Sequence, residues 1–265
     1  MDILWKGKTM RKILKTIGLA ALVLFGISFI INAYNGSPGV IINRVFNNKE
    51  IKPQVLVYRI YALGMLPVGE AVFYNAKLEK LNREEVYHLK AEASTLGLIA
   101  PFFKARADLD SYINPVDYNP VLFKQKISVS GKSIGDDREV SYNQKSGFVT
   151  LKGVKREILP NTQDPLSLMY NLKKMDFDKT KDVEFSINTN QKNYVLKGTV
   201  EKNRVGVGKY NVYRGKSDIR RRDKNNPYHR SQVTMWFVKE GENIPVLIKV
   251  FASGFLITVR LTEVK

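Results

Sequence analysis

From residue 55 to residue 261 the chain repeats one short rhythm, in which apolar and polar residues alternate over five to ten positions and then meet a turn signal. Period-two alternation puts one face of an extended segment against a core and the other in water, so this rhythm predicts β-strands and leaves little room for helix. Val55–Ala62 reads as a first strand, broken at Gly64 and again at Pro67-Val68-Gly69. Ala71–Leu78 follows, then the polar turn Asn82-Arg83-Glu84, then Val86–Ala93. Phe102–Ile113 alternates next, with Ala105, Ala107 and Leu109 on one face and Asp108 and Asp110 on the other. Strands are expected over 121–130, 139–143, 148–152, 183–188, 194–201, 210–216, 232–238, 244–251 and 255–261. Roughly twelve short strands at this spacing make an all-β, mainly antiparallel domain: a curved sheet, an incomplete barrel, a barrel or a sandwich.

One stretch departs from the rhythm. Asp164-Pro165-Leu166 opens a helical pattern, with Asp164 as the N-cap and Pro165 at the first helical position. Leu166, Met169 and Tyr170 then share one apolar face, flanked by Leu168 and Leu172. A lone helix in a β chain must bury that face on the sheet. It closes one end of a barrel, lies across a concave side, or packs outside as a connector.

Ahead of the β region stands the apolar run 13–33, uncharged from Thr16 to Ile31 and preceded by Lys6, Lys8, Arg11, Lys12 and Lys15 against the single acid Asp2. Positive residues stay on the cytoplasmic side, so everything after the run is delivered across the membrane. Residues 13–33 are either a retained transmembrane anchor or a signal peptide whose best small-residue exit, Ile31-Asn32-Ala33, carries a bulky Ile. Residues 1–12 form the basic cytoplasmic segment, residues 34–53 a tether and residues 54–265 the β domain; Met10 is an alternative start to Met1. The expected location is the cell envelope, with the β domain in the periplasm, anchored to the inner membrane or released there by cleavage.

Composition narrows the function. The chain has no cysteine, which removes thiolate catalysis, disulfides and lipid attachment through Cys. Net charge is +18, and residues after 33 keep 38 bases and 24 acids, a net +14. Such a surface favours anionic partners: lipid headgroups or an anionic envelope polymer, with export arguing against nucleic acid. The densest cluster runs from Arg214 to Arg230 and contains Arg214, Lys216, Arg220, Arg221 and Arg222; it reads as a long exposed loop able to bind anions. Leu96–Phe103 is an apolar stretch suited to a cavity mouth or a membrane contact, or to a buried strand or short helix.

Catalytic constellations do not survive inspection. His88 lies on a strand and His229 in a polar loop, neither with a second ligand at metal spacing. Asp176–Asp182 imitates a calcium loop but has Lys181 where Gly is required. Asp108 and Asp110 share a wet strand face and read as solvated. Asp164 and Ser167 read as a cap and a first-turn residue. No cofactor is expected.

Tyr58-Arg-Ile-Tyr-Ala-Leu-Gly64 running into Pro67-Val-Gly-Glu-Ala71 resembles the opening of the bacterial envelope family catalogued as domain of unknown function 3108. Ser111-Tyr-Ile-Asn, Tyr118-Asn-Pro120, Asp164-Pro-Leu-Ser167 with Tyr170, and Met235-Trp-Phe with Pro245 and Gly254 follow in that family's order. The resemblance covers residues 55–262 and implies a β-rich domain, secreted or tethered, with an architecture similar to the half-barrels that carry lipoproteins. It carries over no functional residues. Three functions stay open: a non-enzymatic module holding an apolar or lipid-like ligand under the helix, with Leu166, Met169 and Tyr170 against it; an envelope scaffold binding a protein or anionic polymer; and a hydrolase of an envelope polymer.

Overall fold

The computed structural model describes Phe46 and residues 54–265, except positions 98, 102–103, 131, 134–136, 190–191, 204, 223–230 and 253. The expected segments 1–12 and 13–33, and all of 34–53 but Phe46, lie outside the described residues. So do Leu98, Phe102, Phe103 and His229. Among the described residues, no helix is long and apolar enough to cross a membrane.

Sixteen strands form one antiparallel sheet. They are β1 (Leu56–Ala62), β2 (Leu66–Phe73), β3 (Lys77–Leu81), β4 (Glu84–Thr95), β5 (Ala105–Ile113), β6 (Pro120–Val129), β7 (Lys132–Ser133) and β8 (Arg138–Asn143). They continue as β9 (Phe148–Leu151), β10 (Val154–Glu157), β11 (Asp182–Thr189), β12 (Lys192–Lys202), β13 (Val212–Arg221), β14 (Ser231–Val238), β15 (Pro245–Ala252) and β16 (Phe255–Val264). Among the described residues one helix, α1 (Pro165–Lys174), interrupts them after β10. The order across the sheet is β10-β9-β8-β6-β5-β4-β2-β1-β16-β15-β14-β13-β12-β11, with β3 added to β4 and β7 to β6. The first and last strands of the chain pair in its middle, Leu56 opposite Val264.

The alternation sets the register. In β5 Ala105, Ala107, Leu109, Ser111 and Ile113 are buried while the residues between them face outward. A slip of one residue in β5 would bring Arg106 and Asp108 inside, which is why its pairing with β4 and β6 is fixed. Asn82 and Arg83, both at positive φ, form the two-residue turn between β3 and β4, the mirror-image geometry that matches strand twist.

The sheet is not closed by a ladder. Its free edges, β10 and β11, are joined by the connector 158–164. Ile158 N–H donates to the Gly147 carbonyl (2.8 Å) at one edge. On the other, Gln163 exchanges hydrogen bonds with Ser186 and Asn188 of β11 (2.8 Å each), a parallel bridge to Ile187. The Tyr142 hydroxyl, donating to the Asn188 carbonyl at 3.2 Å, spans the same seam. The product is a barrel-like shell with one contiguous core, to which β1, β4, β5, β11, β12, β15, β16 and α1 all contribute.

The helix lies inside that shell. Only Met169 and Lys173 are more than marginally accessible, so the outside-connector reading is excluded: the apolar face is buried and Ser167 and Asn171 on the other sides are covered through hydrogen bonds. Burying Leu166, Leu168, Leu172 and Tyr170 stabilises the arrangement by about 2 kcal/mol each.

Registers divide the shell into two ends. Ala62 pairs with Leu66 and Ile257, Ala252 with Phe255, Ser94 with Arg106, and Ile219 with Ser231, so the connections after β1, β4, β13 and β15 leave from one end, the rim. The connections after β2, β5, β12 and β14 leave from the other, with the start of β1 and the end of β16. Helix α1 crosses this second end and closes it. Phe46 also packs there, edge-on to Tyr118 (5.1 Å between ring centroids) and bridged to Met175, so one residue of the expected tether belongs to the domain.

Several sequence expectations change. Pro67-Val68-Gly69 is not a break but part of β2, because a bulge opposite Ile60 and Tyr61 absorbs the extra residue. Pro67 also precedes the stretch that pairs with β4, so its missing N–H costs no ladder bond there. Ala71–Leu78 is divided between β2 and β3, which pair in succession with the long β4. The described residues of 96–103 form turns rather than the buried strand or short helix, with Ile99 and Ala100 N–H groups donating to the Leu96 carbonyl. The Arg214–Arg230 loop is also corrected, since β13 runs on to Arg221.

Candidate functional site

The residues that set α1 in place come from separate parts of the chain. Asp164 caps the helix, its Oδ1 accepting from Leu166 N–H (2.7 Å) and Ser167 N–H (3.0 Å), while Ser167 Oγ accepts from Asp164 N–H (2.9 Å) to complete a capping box. Asp164 is wholly buried, and Ser111 of β5 donates to its Oδ2 at 2.6 Å. Burial raises the Asp164 carboxyl above its ordinary range, and the hydrogen bonds from Ser111, Ser167 and Leu166 offset only part of that. Beside it, Gln163 Nε2 donates to Asn119 Oδ1 (2.7 Å), and Asn171 Nδ2 donates to Gln163 Oε1 (3.0 Å) and to the Tyr118 carbonyl (3.1 Å). Tyr118 meets Tyr170 edge to face at 5.3 Å. The Ser111, Tyr118-Asn119, Asp164–Ser167 and Tyr170 motifs therefore converge on the helix seat. Ser167 is committed to the cap and has no general base, which removes the nucleophile reading.

The far end of α1 is held by the loop after β14. Asn243 Nδ2 donates to the Leu172 and Met175 carbonyls, satisfying the last turn. Glu242, almost buried, lies 2.9 Å from Lys173 Nζ and 3.8 Å from Lys174 Nζ. Burial lowers the Lys174 ammonium below its ordinary range, and Glu242 restores part of the difference.

Leu166, Met169 and Tyr170 come together as the sequence suggests, lining a cleft against Tyr58, Phe73 and Leu89. Lys90 and Lys173 stand at its edge. Its volume is about 50 Å³. A cavity near 150 Å³ is needed to take benzene and about 300 Å³ to begin a small-molecule site. Gln54 Oε1 and Tyr170 Oη are buried there without partners, so the cleft has polar atoms to satisfy but no room for an acyl chain. Burial drives the Tyr170 phenol far above its ordinary value, so it stays neutral and can only share its proton.

The basic candidates do not reach this cleft. Alternation along β13 sends Arg214, Lys216 and Arg220 to the outer face, with Asp218 between the last two. Arg221 turns inward and is buried, paired in register with Tyr194; Arg222 follows the strand, its N–H donating to the Asn193 carbonyl at 2.9 Å. The outer residues build a surface with neighbours that the sequence reading missed. Trp236 of β14 faces outward, with the Arg214 guanidinium and Lys249 Nζ each 5.7 Å from its ring centre. Arg214 Nε is buried with no partner. Beside them a trough of about 310 Å³ is lined by Lys197, Thr199, Lys216, Asp218, Gln232 and Thr234. Gly198 forms its floor, where a Cβ would collide with the Lys216 carbonyl. Trp236, Lys249 and Lys197 join Arg214 and Lys216 only through cross-strand register, so spacing along the chain gave no sign of them.

Other candidates resolve into local structure. His88 Nε2 lies 2.8 Å from Asp110 Oδ1 and Nδ1 3.2 Å from Glu79 Oε2, with its ring stacked on Tyr112. Asp108 is held by Arg106 at 2.9 Å. Asp108 and Asp110 thus have separate cationic or imidazole partners and are not an acid/base pair. Asp176 Oδ1 accepts from the Asp178 N–H in a turn of its own. Among the described residues no group of three or more His, Asp or Glu side chains is placed to hold a metal ion.

A family model described as "Protein of unknown function (DUF3108)" matches residues 57–255. No curated protein matches the chain. Among solved structures, a beta-barrel-like protein of domain of unknown function DUF1849 from Brucella abortus superimposes with a TM-score of 0.57 at 13% identity, covering 82% of this chain and 98% of that one. That likeness supports the barrel-like shell. A putative exported protein with a YmcC-like fold from Bacteroides fragilis matches with a TM-score of 0.30 at 10% identity over 84% of this chain and the whole of the other.

Proposed function

The chain belongs to the DUF3108 family, and on that premise we propose that it is a non-enzymatic envelope module that binds an anionic carbohydrate polymer on the outer face of β12–β15. The observation that carries this reading is the grouping of Arg214, Lys216 and Lys249 around the half-buried, outward-facing Trp236 and a hydroxyl-lined trough, with Lys197 on its wall held by Glu184 at 3.1 Å. Phosphate or carboxylate groups pair with the cations, the apolar face of a sugar lies on Trp236, and Thr199, Thr234 and Gln232 offer hydrogen bonds to hydroxyls. The net charge of +14 after residue 33 draws such a polymer toward the surface. Export through the 13–33 segment puts the domain where the polymer is.

The apolar-ligand reading has less support. It needs an interior chamber, and the cleft under α1 is about 50 Å³ beside a contiguous packed core.

The test is equilibrium binding to a phosphorylated envelope polysaccharide and to the same polymer dephosphorylated. Charge reversal at Arg214 and Lys216 should weaken binding to the phosphorylated form at least roughly thirtyfold, at about 1 kcal/mol per cation, and leave the weak binding to the neutral form unchanged. Binding that ignores both the charge reversal and added salt would remove the polymer from this face.

A further inference from the structure

The rim opposite the helix carries a second surface. Five of the exposed large apolar side chains cluster there: Leu63, Met65 and Leu66 at the β1–β2 hairpin, and Phe251 and Phe255 at the β15–β16 hairpin. Met65 is 81% exposed and Leu63 61%, values that leave each side chain almost wholly in water. The two hairpins are neighbours, because β1 pairs with β16 and the space beside Gly64 is bounded by Leu256 Cδ2 at 3.4 Å. The other exposed apolar residues, such as Leu78, Val116 and Val205, are scattered over separate segments. Ile99 and Ala100 sit half-buried in the turn that follows β4 at the same rim.

Charge at the rim is mainly positive. Among the described residues between the strands at this end, Lys104, Lys152 and Arg222 stand against the single acid Asp137. Arg106 and Arg220 stand one step further in on β5 and β13, Arg106 paired with Glu92 and Asp108 and Arg220 with Asp218. The closed end differs, since its loops carry Asp117, Glu240 and Glu242 alongside Lys209 and Lys239.

We propose that this rim docks on the surface of an anionic lipid bilayer, with Leu63, Met65, Leu66, Phe251 and Phe255 entering the interface and Lys104 and Arg222 meeting the headgroups. Hairpin tips suit the task because Leu63 and Met65 lie beyond the last pair of β1 and β2 while Leu66, Phe251 and Phe255 have their backbone already paired, so insertion exposes no ladder group to lipid. Apolar tips among mostly basic neighbours match an anionic interface in both polarity and charge. A protein partner would have to supply acids and an apolar pocket at once, whereas an anionic bilayer presents both over its whole surface. The chain enters the domain at the opposite end, through Phe46, so the rim's contact is independent of the 13–33 segment.

The absence of cysteine makes the test clean. The full chain, carrying M65C labelled with an environment-sensitive fluorophore, is placed in nanodiscs of neutral lipid and mixed with vesicles of phosphatidylglycerol or of phosphatidylcholine. V116C, 85% exposed on the closed end, is the control. The M65C label should move to an apolar environment and be quenched by nitroxide lipid with the anionic vesicles only, while the V116C label stays in water. Reversing Lys104 and Arg222 to Glu should weaken vesicle binding about tenfold, as should high salt. An M65C label that stays in water with the anionic vesicles would overturn the proposal. So would a shift that appears without vesicles and grows with protein concentration, which would mean that a second copy covers the rim.

Discussion

The two ends of the shell are built on opposite terms. At the closed end, buried polar side chains are matched to particular partners: Asp164 to Ser111, Gln163 to Asn119, Asn171 to Tyr118 and Asn243 to the last turn of α1. At the rim, apolar side chains are left in water among mostly basic neighbours. Satisfied buried polar groups fix one arrangement, because breaking any of them strands its partner. Exposed apolar tips contribute nothing to the fold, so they are free to serve a contact. The difference fits the proposal that one end holds the fold while the other makes a contact.

The comparison is tested most severely by Asp164→Ala. It removes the cap of α1 and leaves the Ser111 hydroxyl buried without an acceptor, and is expected to cost about 3 kcal/mol in urea unfolding. A cost below about 1 kcal/mol would mean that the helix seat does not organise the closed end. Asn243→Ala strips the partner from two carbonyls at the other end of the helix and should cost about 1.5 kcal/mol by the same measurement. Tyr170→Phe takes away a buried hydroxyl that has no partner, so stability should stay level or rise by up to about 1 kcal/mol; a loss would reveal a role for the hydroxyl. At the rim, Met65→Ser should change stability by less than about 0.5 kcal/mol while reducing binding to anionic vesicles.

The smallest effect is a slope. The Asp164 carboxyl holds its proton to higher pH when folded than the ordinary value of 3.8 allows in the unfolded chain. The folded state therefore binds more protons in that window. This site's contribution is fully present below the unfolded value and declines as pH rises through the raised folded one. Asp164→Asn keeps an acceptor at the cap and removes the titration, so urea midpoints of the variant should vary less between pH 4 and pH 7 than those of the parent chain. Equal slopes would show that Asp164 titrates normally in the folded state.

Much of the fold was legible because alternation is a local signal. The run from Ala105 to Ile113 announces both its strand and its inward face, and Asp164-Pro165 announces the start of α1. The errors arose where distant pairing overrides local cues. Pro67-Val68-Gly69 has turn chemistry, yet pairing with β1 across a bulge keeps it in a strand. The basic run after Arg214 has a loop's composition, yet Arg214–Arg221 is zipped between β12 and β14, and alternation divides its cations between two sides of the sheet. The seat of α1 could be named motif by motif, but its geometry depends on residues 53 positions apart, Ser111 and Asp164. The outer-face grouping of Trp236 with Arg214 and Lys249, and the meeting of the two rim hairpins, follow from register and were invisible to spacing.

The central claim is that the protein binds through its surface and keeps its interior for itself. Native mass spectrometry of the chain from residue 34, purified gently from the envelope and followed by lipid extraction, tests it directly. The predicted result is a protein of the mass given by its sequence, with no stoichiometric lipid surviving buffer exchange. A bound lipid at one copy per chain, lost when Met169→Trp fills the cleft, would contradict the claim and establish the space under α1 as the binding site.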